Sequence, residues 1–353
     1  MQDDRMPASG ADLADALHEA VRILREGGVI GLPTETVYGL AADAAQADAV
    51  ASIYRIKGRP ADHPLIVHVA DIASARQWAD WTPEAQRLAD AFWPGPLTLV
   101  LPRRAGAPDF ACGGQSTIGL RSPSHPVFRR LMTLLAPHGI TGLAAPSANR
   151  FGRISPSRAA HVRADLGDAV PLVLEGGPAE VGLESTIVDL SRGRAVILRP
   201  GHIGQAELAQ ALGEPVLLGY QVRTPDSALP AGGKGEGQSQ LPDAPRVPGA
   251  LASHYAPSAP LRVLIWPALV AALHAAREAG EAVAVWSEHA PEPQPGLFWR
   301  RRPADAAGAG HDLYDALHQL DALPVARILV QALPEGTAWQ ALADRLGRAA
   351  AAG

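Results

Sequence analysis

Val29-Ile30-Gly31-Leu32-Pro33-Thr34-Glu35-Thr36-Val37-Tyr38-Gly39-Leu40 is the stretch from which the fold is read. Its first four residues are apolar and suit a short buried strand. A proline, two threonines and a carboxylate then interrupt the apolar run as a strand-to-helix turn would. Upstream, Leu13, Leu17, Val21 and Leu24 recur at i, i+4, i+8 and i+11, so residues 11–26 are expected to form an amphipathic helix. Gly27-Gly28 closes it in the manner of a left-handed cap.

The alternation continues downstream. Helices are expected over 46–56, 83–92, 125–136, 157–165 and 204–212. Strands are expected over 65–69, 97–101, 117–121, 143–146, 170–174, 185–190 and 195–199. The helix after Ser155-Pro156-Ser157 carries the signature of a capping hydroxyl beside a proline. Mixed strands and helices over some 200 residues point to one large α/β domain. The pattern breaks after Gly219, because residues 225–249 hold five prolines and five glycines. Such a run is a linker or an ordered lid. A second pattern follows, with strands at 261–266, 282–286 and 325–330 and helices at 267–279, 311–320 and 336–348. The expected organisation is therefore a first α/β domain over 1–219, a Pro/Gly-rich linker or lid over 220–259, and a small parallel, Rossmann-like α/β domain over 260–353.

Composition narrows the function classes. Of 353 residues, 47% are hydrophobic and 19% charged, which excludes a largely disordered chain. The net charge of −5 gives no global signature of a nucleic-acid binder. Cys112 is the single cysteine, so neither an intramolecular disulfide nor a cysteine zinc site can form. No apolar run approaches the roughly 18 residues of a membrane span. Residues 1–10 are polar and lack a signal-peptide core. A soluble, cytoplasmic protein is expected.

Four clusters carry chemistry. Lys57-Gly58-Arg59 sets two cations beside a helix end, where they can meet on a phosphate. A solvated helix C-terminus whose cations complement the dipole accounts for the same residues. Pro146-Ser147-Ala148-Asn149 and Ser155-Pro156-Ser157 follow a strand, where α/β sheets keep ligand sites, although turns also favour Ser, Asn and Pro. Thr34-Glu35-Thr36 offers hydroxyls and a carboxylate after β structure. Arg199 ends a strand before Pro200-Gly201, either as an anion contact or as a surface ion pair. Other motifs fail. Gly232–Gly237 lacks the spacing of a phosphate loop, and neither H-E-x-x-H nor G-x-S-x-G occurs.

Taken in order, Leu32-Pro33-Thr34-Glu35-Thr36-Val37-Tyr38-Gly39-Leu40, Lys57-x-Arg59-Pro60, His63-Pro64-Leu65-Ile66-Val67-His68, Trp93-Pro94-Gly95-Pro96-Leu97-Thr98, Gly119-Leu120-Arg121, Pro146-Ser147-Ala148-Asn149 and Glu184-Ser185-Thr186 resemble the YrdC/TsaC family. The resemblance spans about 13–213. Pro248-Gly249, His254-Tyr255-Ala256-Pro257 and the domain that follows resemble its long two-domain form. This implies a YrdC-like twisted mixed sheet around a concave, positively lined cavity. It also implies L-threonylcarbamoyladenylate synthase activity. L-Threonine, bicarbonate and ATP, with Mg2+, would give the adenylate and pyrophosphate. A downstream threonylcarbamoyl transferase complex would use the adenylate on tRNA.

By the same resemblance, Lys57 and Arg59 are the catalytic cations. His63, Thr117, Ser147, Asn149, Ser155, Arg199 and Arg246 join them on ATP. Thr36, His68, Arg121, Ala145 and Ser185 hold threonine, with Arg121 as a fork for its carboxylate. His63 stands where the family often has Asn. Tyr255 is a candidate lid contact, and no side chain is expected to hold the metal. A carbamate intermediate breaks down in water, which is a reason for a closed site. No residue stands out as the base for the threonine amine. Two other readings stay open: an RNA-binding relative with a weak tRNA contact, and a carbamoyl-transfer paralogue.

Overall fold

The computed structural model describes residues 10–219, 244–251 and 253–351. Helix α1 (Gly10–Arg25) buries Leu17, Ala20, Val21 and Leu24, the stripe that the leucine spacing sets out. Gly27 takes a φ of +80°, and the Gly28 amide donates to the Ile23 carbonyl at 2.8 Å, which ends the helix. Residues 10–151, 155–219 and 244–248 form one compact unit. Residues 152–154, 249–251 and 253–351 form a second.

The first unit contains α1, α2 (Ala47–Lys57), α3 (Ile72–Ala75), α4 (Pro83–Phe92), α5 (Pro126–Leu135), α6 (Ala159–Leu166) and α7 (Gln205–Leu212). Its strands are β1 (Ile30–Leu32), β2 (Gly39–Asp43), β3 (Ile66–Val69), β4 (Leu97–Pro102), β5 (Thr117–Arg121), β6 (Gly142–Ala144), β7 (Thr186–Asp189), β8 (Val196–Arg199) and β9 (Leu217–Leu218). They build one nine-stranded sheet in the order β1-β2-β6-β3-β5-β4-β7-β8-β9. The pairs β3/β5, β4/β7 and β8/β9 are parallel and the others antiparallel, so the sheet is mixed. Helices α1 and α5 share one core with β1, in which Leu24, Phe128 and Leu131 are fully buried.

The register of three central strands positions the site. β3 and β5 pair His68 with Arg121, and β5 pairs Gly119 with Val100 of β4. Side chains alternate between faces, so Ile66 and His68, Thr117, Gly119 and Arg121, and Thr98 and Val100 share one face. Gly119 leaves that face without a side chain at its centre.

The second unit holds β10 (Leu261–Leu264), α8 (Trp266–Glu278), β11 (Val283–Ser287), β12 (Leu297–Arg301), α9 (Ala306–Asp321), β13 (Arg327–Gln331) and α10 (Gln340–Ala350). Its sheet order is β10-β13-β11-β12, parallel throughout. Leu269, Leu273, Val283, Val285 and Leu329 form its core.

Four expectations are corrected. Residues 170–174 form no strand. They lie extended beside β1, where Gly31 bonds to Leu172 and Leu174 but a single bridge ends the pairing. The segment after Pro33 turns back into β2 rather than into a helix. α6 begins at Ala159 with Arg158 as an uncapping N-cap residue, because the Ser155 hydroxyl is committed elsewhere. Trp266 opens α8 instead of ending β10, since Pro267 suits a first helical turn. β12 goes unread in the sequence because its Leu-Phe-Trp-Arg-Arg is half exposed and does not alternate cleanly. The Gly232–Gly237 run lies outside the described residues.

Candidate active site

A cleft opens on the shared face of β3, β4 and β5. Ile66, Thr98, Val100, Thr117, Gly119 and Ile187 form its floor, and Gln115, Arg246, Val247 and Pro248 border it. Segment 244–248 lies along it, with Ala244 and Val247 packed on Ile66, Val100, Ile187, Val196 and Leu198. Arg246 anchors this segment. Its amide bonds Gln115 Oε1 at 2.7 Å, its Nη2 donates to the Gly113 carbonyl at 2.7 Å, and its Nη1 pairs with Asp62 at 3.3 Å.

The two cations of the Lys57-Gly58-Arg59 turn are not a solvated helix end. Lys57 is 3% and Arg59 8% exposed. α2 stops because Gly58 adopts a left-handed φ of +64°, which returns the Arg59 amide to the Tyr54 carbonyl at 3.0 Å. Lys57 Nζ donates to the Ser147 and Asn149 carbonyls at 2.5 and 2.6 Å. The Phe151 amide returns a bond to the Lys57 carbonyl at 2.8 Å. Arg59 Nη2 donates to the Pro64 carbonyl at 2.9 Å, and its guanidinium stacks 5.5 Å from the Phe151 ring. The half-buried His63 meets the same ring edge-on. The turn after α2 and the 147–151 loop are thus one hydrogen-bonded body. Burial pushes the Lys57 ammonium down to about 7, and Arg59 acts in the same direction. Burial, then Arg59, lowers His63 as well.

A second cluster forms around Arg121. Its Nη1 donates to Thr36 Oγ1 at 2.7 Å, and its Nη2 lies 2.7 Å from Glu35 Oε1. Thr34 and Thr36 hydroxyls are 2.9 Å apart, and Thr34 donates to the Val37 carbonyl at 2.6 Å, a turn that holds all three side chains. The fork of Arg121 therefore faces an internal carboxylate. His68 is buried, with Nδ1 3.2 Å from the Ile66 carbonyl. Burial first, then Arg121, drives it down to about 3, so its ring is neutral at physiological pH. Ala145 is buried beside them, its amide on the Ile66 carbonyl.

A third cluster joins β4, β7 and β8. Ser185 Oγ lies 2.7 Å from Thr98 Oγ1. Arg199 Nη2 donates to Ser185 Oγ at 3.1 Å and to its carbonyl at 2.9 Å, while Nη1 donates to the Pro248 carbonyl at 3.1 Å. Arg199 is 4% exposed, so it is no surface ion pair. Ser155 Oγ donates to Glu184 Oε1 at 2.6 Å, and both are buried.

The first unit thus gathers Thr36, His63, His68, Thr117, Arg121, Ala145, Ser147, Asn149, Ser155, Ser185, Arg199 and Arg246 with Lys57 and Arg59. Tyr255 belongs to the second unit, buried against Tyr314 with Arg345 over its ring. Residue-by-residue reading passed over Glu35 and Glu184 as ligands of Arg121 and Ser155. Both stood inside the quoted motifs, yet nothing in the sequence showed which partner each would meet. Among the described residues, no group of three or more His, Cys, Asp or Glu is placed to hold a metal ion, and no helix is long and apolar enough to cross a membrane.

Buried cations and hydroxyls set on a mixed nine-stranded sheet define an α/β unit with an internal polar site. Comparison with known proteins makes the assignment. The Sua5/YciO/YrdC family model, described as "Telomere recombination", matches residues 22–201, and the model "Threonylcarbamoyl-AMP synthase, C-terminal domain" matches 203–351. The chain is 35% identical over 344 residues to threonylcarbamoyl-AMP synthase of Bacillus subtilis, covering 94% of this chain and 92% of that one. It is 38% identical over 253 residues to the Pyrococcus abyssi protein of the same name, covering 70% and 67%. The crystal structure of P. abyssi Sua5 complexed with L-threonine superposes with a TM-score of 0.82 at 32% identity, over 95% of this chain and 94% of that one. The chain belongs to the threonylcarbamoyl-AMP synthase family, in its long two-domain form, and is an enzyme.

Proposed function

We propose that the first unit condenses L-threonine, bicarbonate and ATP into L-threonylcarbamoyladenylate and pyrophosphate, the first step of tRNA threonylcarbamoyladenosine modification. The observation that carries this reading is the pair of buried cations, Lys57 and Arg59, tied to the 147–151 loop, with a further buried cation, Arg121, in the same unit. The threonine amine gives a carbamate either with bicarbonate, releasing water, or with dissolved carbon dioxide, releasing a proton. A carbamate oxygen then attacks the α-phosphorus, and pyrophosphate leaves. Such a transfer needs positioning and charge neutralisation more than covalent help.

Lys57 and Arg59 receive the triphosphate, which enters as its magnesium complex. An arriving polyanion restores the full charge of Lys57 that burial lowers. Ser147, Asn149 and Ser155 add hydrogen bonds, with His63, Thr117, Arg199 and Arg246 at the nucleotide. Arg121 takes the threonine carboxylate in exchange for part of its contact with Glu35. Thr36, Ala145 and Ser185 border the amino acid, and His68 acts as a neutral hydrogen-bond partner. Segment 244–248 closes the cleft against water between a catalytic domain (1–219) and a C-terminal domain (260–353), and residues 220–243 of the expected linker or lid lie outside the described residues. The adenylate passes to a threonylcarbamoyl transferase complex in the cytoplasm, with tRNA as its acceptor.

The test is pyrophosphate release by the purified protein with MgATP, with L-threonine and bicarbonate each present or omitted. Release that requires both is expected. Release without threonine would overturn the reading.

A further inference from the structure

The second unit buries a cation that its own contacts leave half satisfied. Its four strands are parallel, so their carboxyl ends lie along one edge of the sheet. Ligands of such sheets bind at that edge, where successive connections leave toward opposite sides. Here β11 continues outward to β12, whereas α10 leaves β13 and packs back on β10. The divergence falls between the neighbouring ends of β13 and β11. Polar groups occupy that place. Gln331 Oε1 accepts from the Glu288 amide at 2.9 Å, and Gln331 Nε2 lies 3.1 Å from His289 Nδ1.

Arg302 reaches the same place from the end of β12, its amide bonded to the Ser287 carbonyl at 2.8 Å. Its guanidinium stacks 5.2 Å from the Trp339 ring, in the turn after β13, and Nη2 stands 3.4 Å from Glu288 Oε2. Arg302 is 1% exposed, yet its Nε and Nη1 have no hydrogen-bond partner among the described residues. A buried charge-bearing donor without an acceptor is costly. Burial accordingly lowers its pKa, with Glu288 opposing.

We infer that the carboxyl edge of the second unit's sheet is an oxyanion-binding site, in which Arg302 receives the phosphate or carboxylate of a small molecule. An oxyanion supplies an acceptor to one of the two, Nε or Nη1, together with Nη2. Either edge of a guanidinium used in bidentate fashion includes Nη2, so the anion competes with the long Glu288 contact. The Ser287 hydroxyl is already committed to the His289 carbonyl and Trp299 Nε1, and it shapes the site without contributing a donor. This site is independent of the reaction assigned to the first unit.

The test is calorimetric titration of the full chain with inorganic phosphate and, separately, with succinate, in the parent, Glu288→Gln and Arg302→Gln. The first unit is identical in all three, so its own anion binding cancels. Glu288→Gln removes the competing carboxylate and should tighten one binding event about fivefold. Arg302→Gln should weaken the same event about tenfold or more. A response to phosphate alone identifies a phosphorylated ligand, and a response to succinate alone a carboxylate. If Arg302→Gln does not fold, Glu288→Gln decides by itself. Unchanged affinity of Glu288→Gln for both anions would overturn the inference.

Discussion

Substituting Glu35 by Gln tests how the Arg121 cluster is held together. Oε1 of Glu35 lies 2.7 Å from Arg121 Nη2, and the two side chains are 3% and 4% exposed. At an effective dielectric of about 20, unit charges at that separation attract by about 6 kcal/mol. Desolvation of both ions offsets much of this, but removal of one partner leaves the other buried and unpaired, at about 3–5 kcal/mol. Glu35→Gln keeps an oxygen for the Ser124 amide, now 3.2 Å from Oε2, so the low end applies. A loss of about 3 kcal/mol lowers the melting temperature of the first unit by about 6–12 °C. Scanning calorimetry of Glu35→Gln, Arg121→Gln and the double variant completes a cycle. If the ion pair is the cause, the double variant loses about 3–4 kcal/mol rather than the sum of about 6. Additive losses would refute the reasoning, since they would mean that each side chain acts through other neighbours.

Lys57→Met leaves the Ser147 and Asn149 carbonyls without their donor and removes a cation from the proposed triphosphate site. Pyrophosphate release should fall about 100-fold or more with an unchanged circular dichroism spectrum, and a rate near the parent's would remove Lys57 from the machinery. His68 remains unprotonated in the fold down to about pH 3, whereas the unfolded chain protonates it near 6.5. The unfolded state then binds more protons within that window, so stability falls as pH drops through it, by about 2 kcal/mol at pH 5. Urea midpoints of the parent and His68→Asn between pH 7 and pH 5 measure this, and equal pH dependence in the two would exclude it. Gly201→Ala would place a Cβ 2.7 Å from Thr186 Oγ1 and from the Ser185 carbonyl carbon. That overlap should cost about 2 kcal/mol or more by urea denaturation, and an unaltered midpoint would disprove the close approach. Arg246→Ala breaks an ion pair whose side chains are 53% and 63% exposed and also the Nη2 bond to the Gly113 carbonyl, so the same assay should show a loss of about 1 kcal/mol.

The longer helices were legible because their signals are local, whereas the single turn α3 went unread. The stripe Leu13-Leu17-Val21-Leu24 and the cap at Gly27 need only the chain's own periodicity, and α1 follows them. The same holds for β3, β4 and β5, whose apolar and β-branched runs stand between turn residues. β2 was not legible, because Gly39-Leu40-Ala41-Ala42-Asp43 has weak strand propensity. It is a strand because β1 and β6 flank it and supply its hydrogen bonds. Residues 170–174 erred the other way, since a Val/Leu run beside β1 found no register to continue.

The site divides along the same line. The motifs named the residue types and their order, and the family followed from that order. Partners were another matter. Lys57 lies 90 residues or more from the carbonyls it holds, Arg121 85 from Thr36, and Arg199 49 from Pro248. The sequence by itself determined which chemistry is available, through local periodicity, turn residues and the set of cations and hydroxyls. Only the tertiary structure decided which of those groups lose water and which charge meets which. Burial and Coulomb attraction act through space, and the pairing register of β3 with β5 is what brings distant residues within their reach.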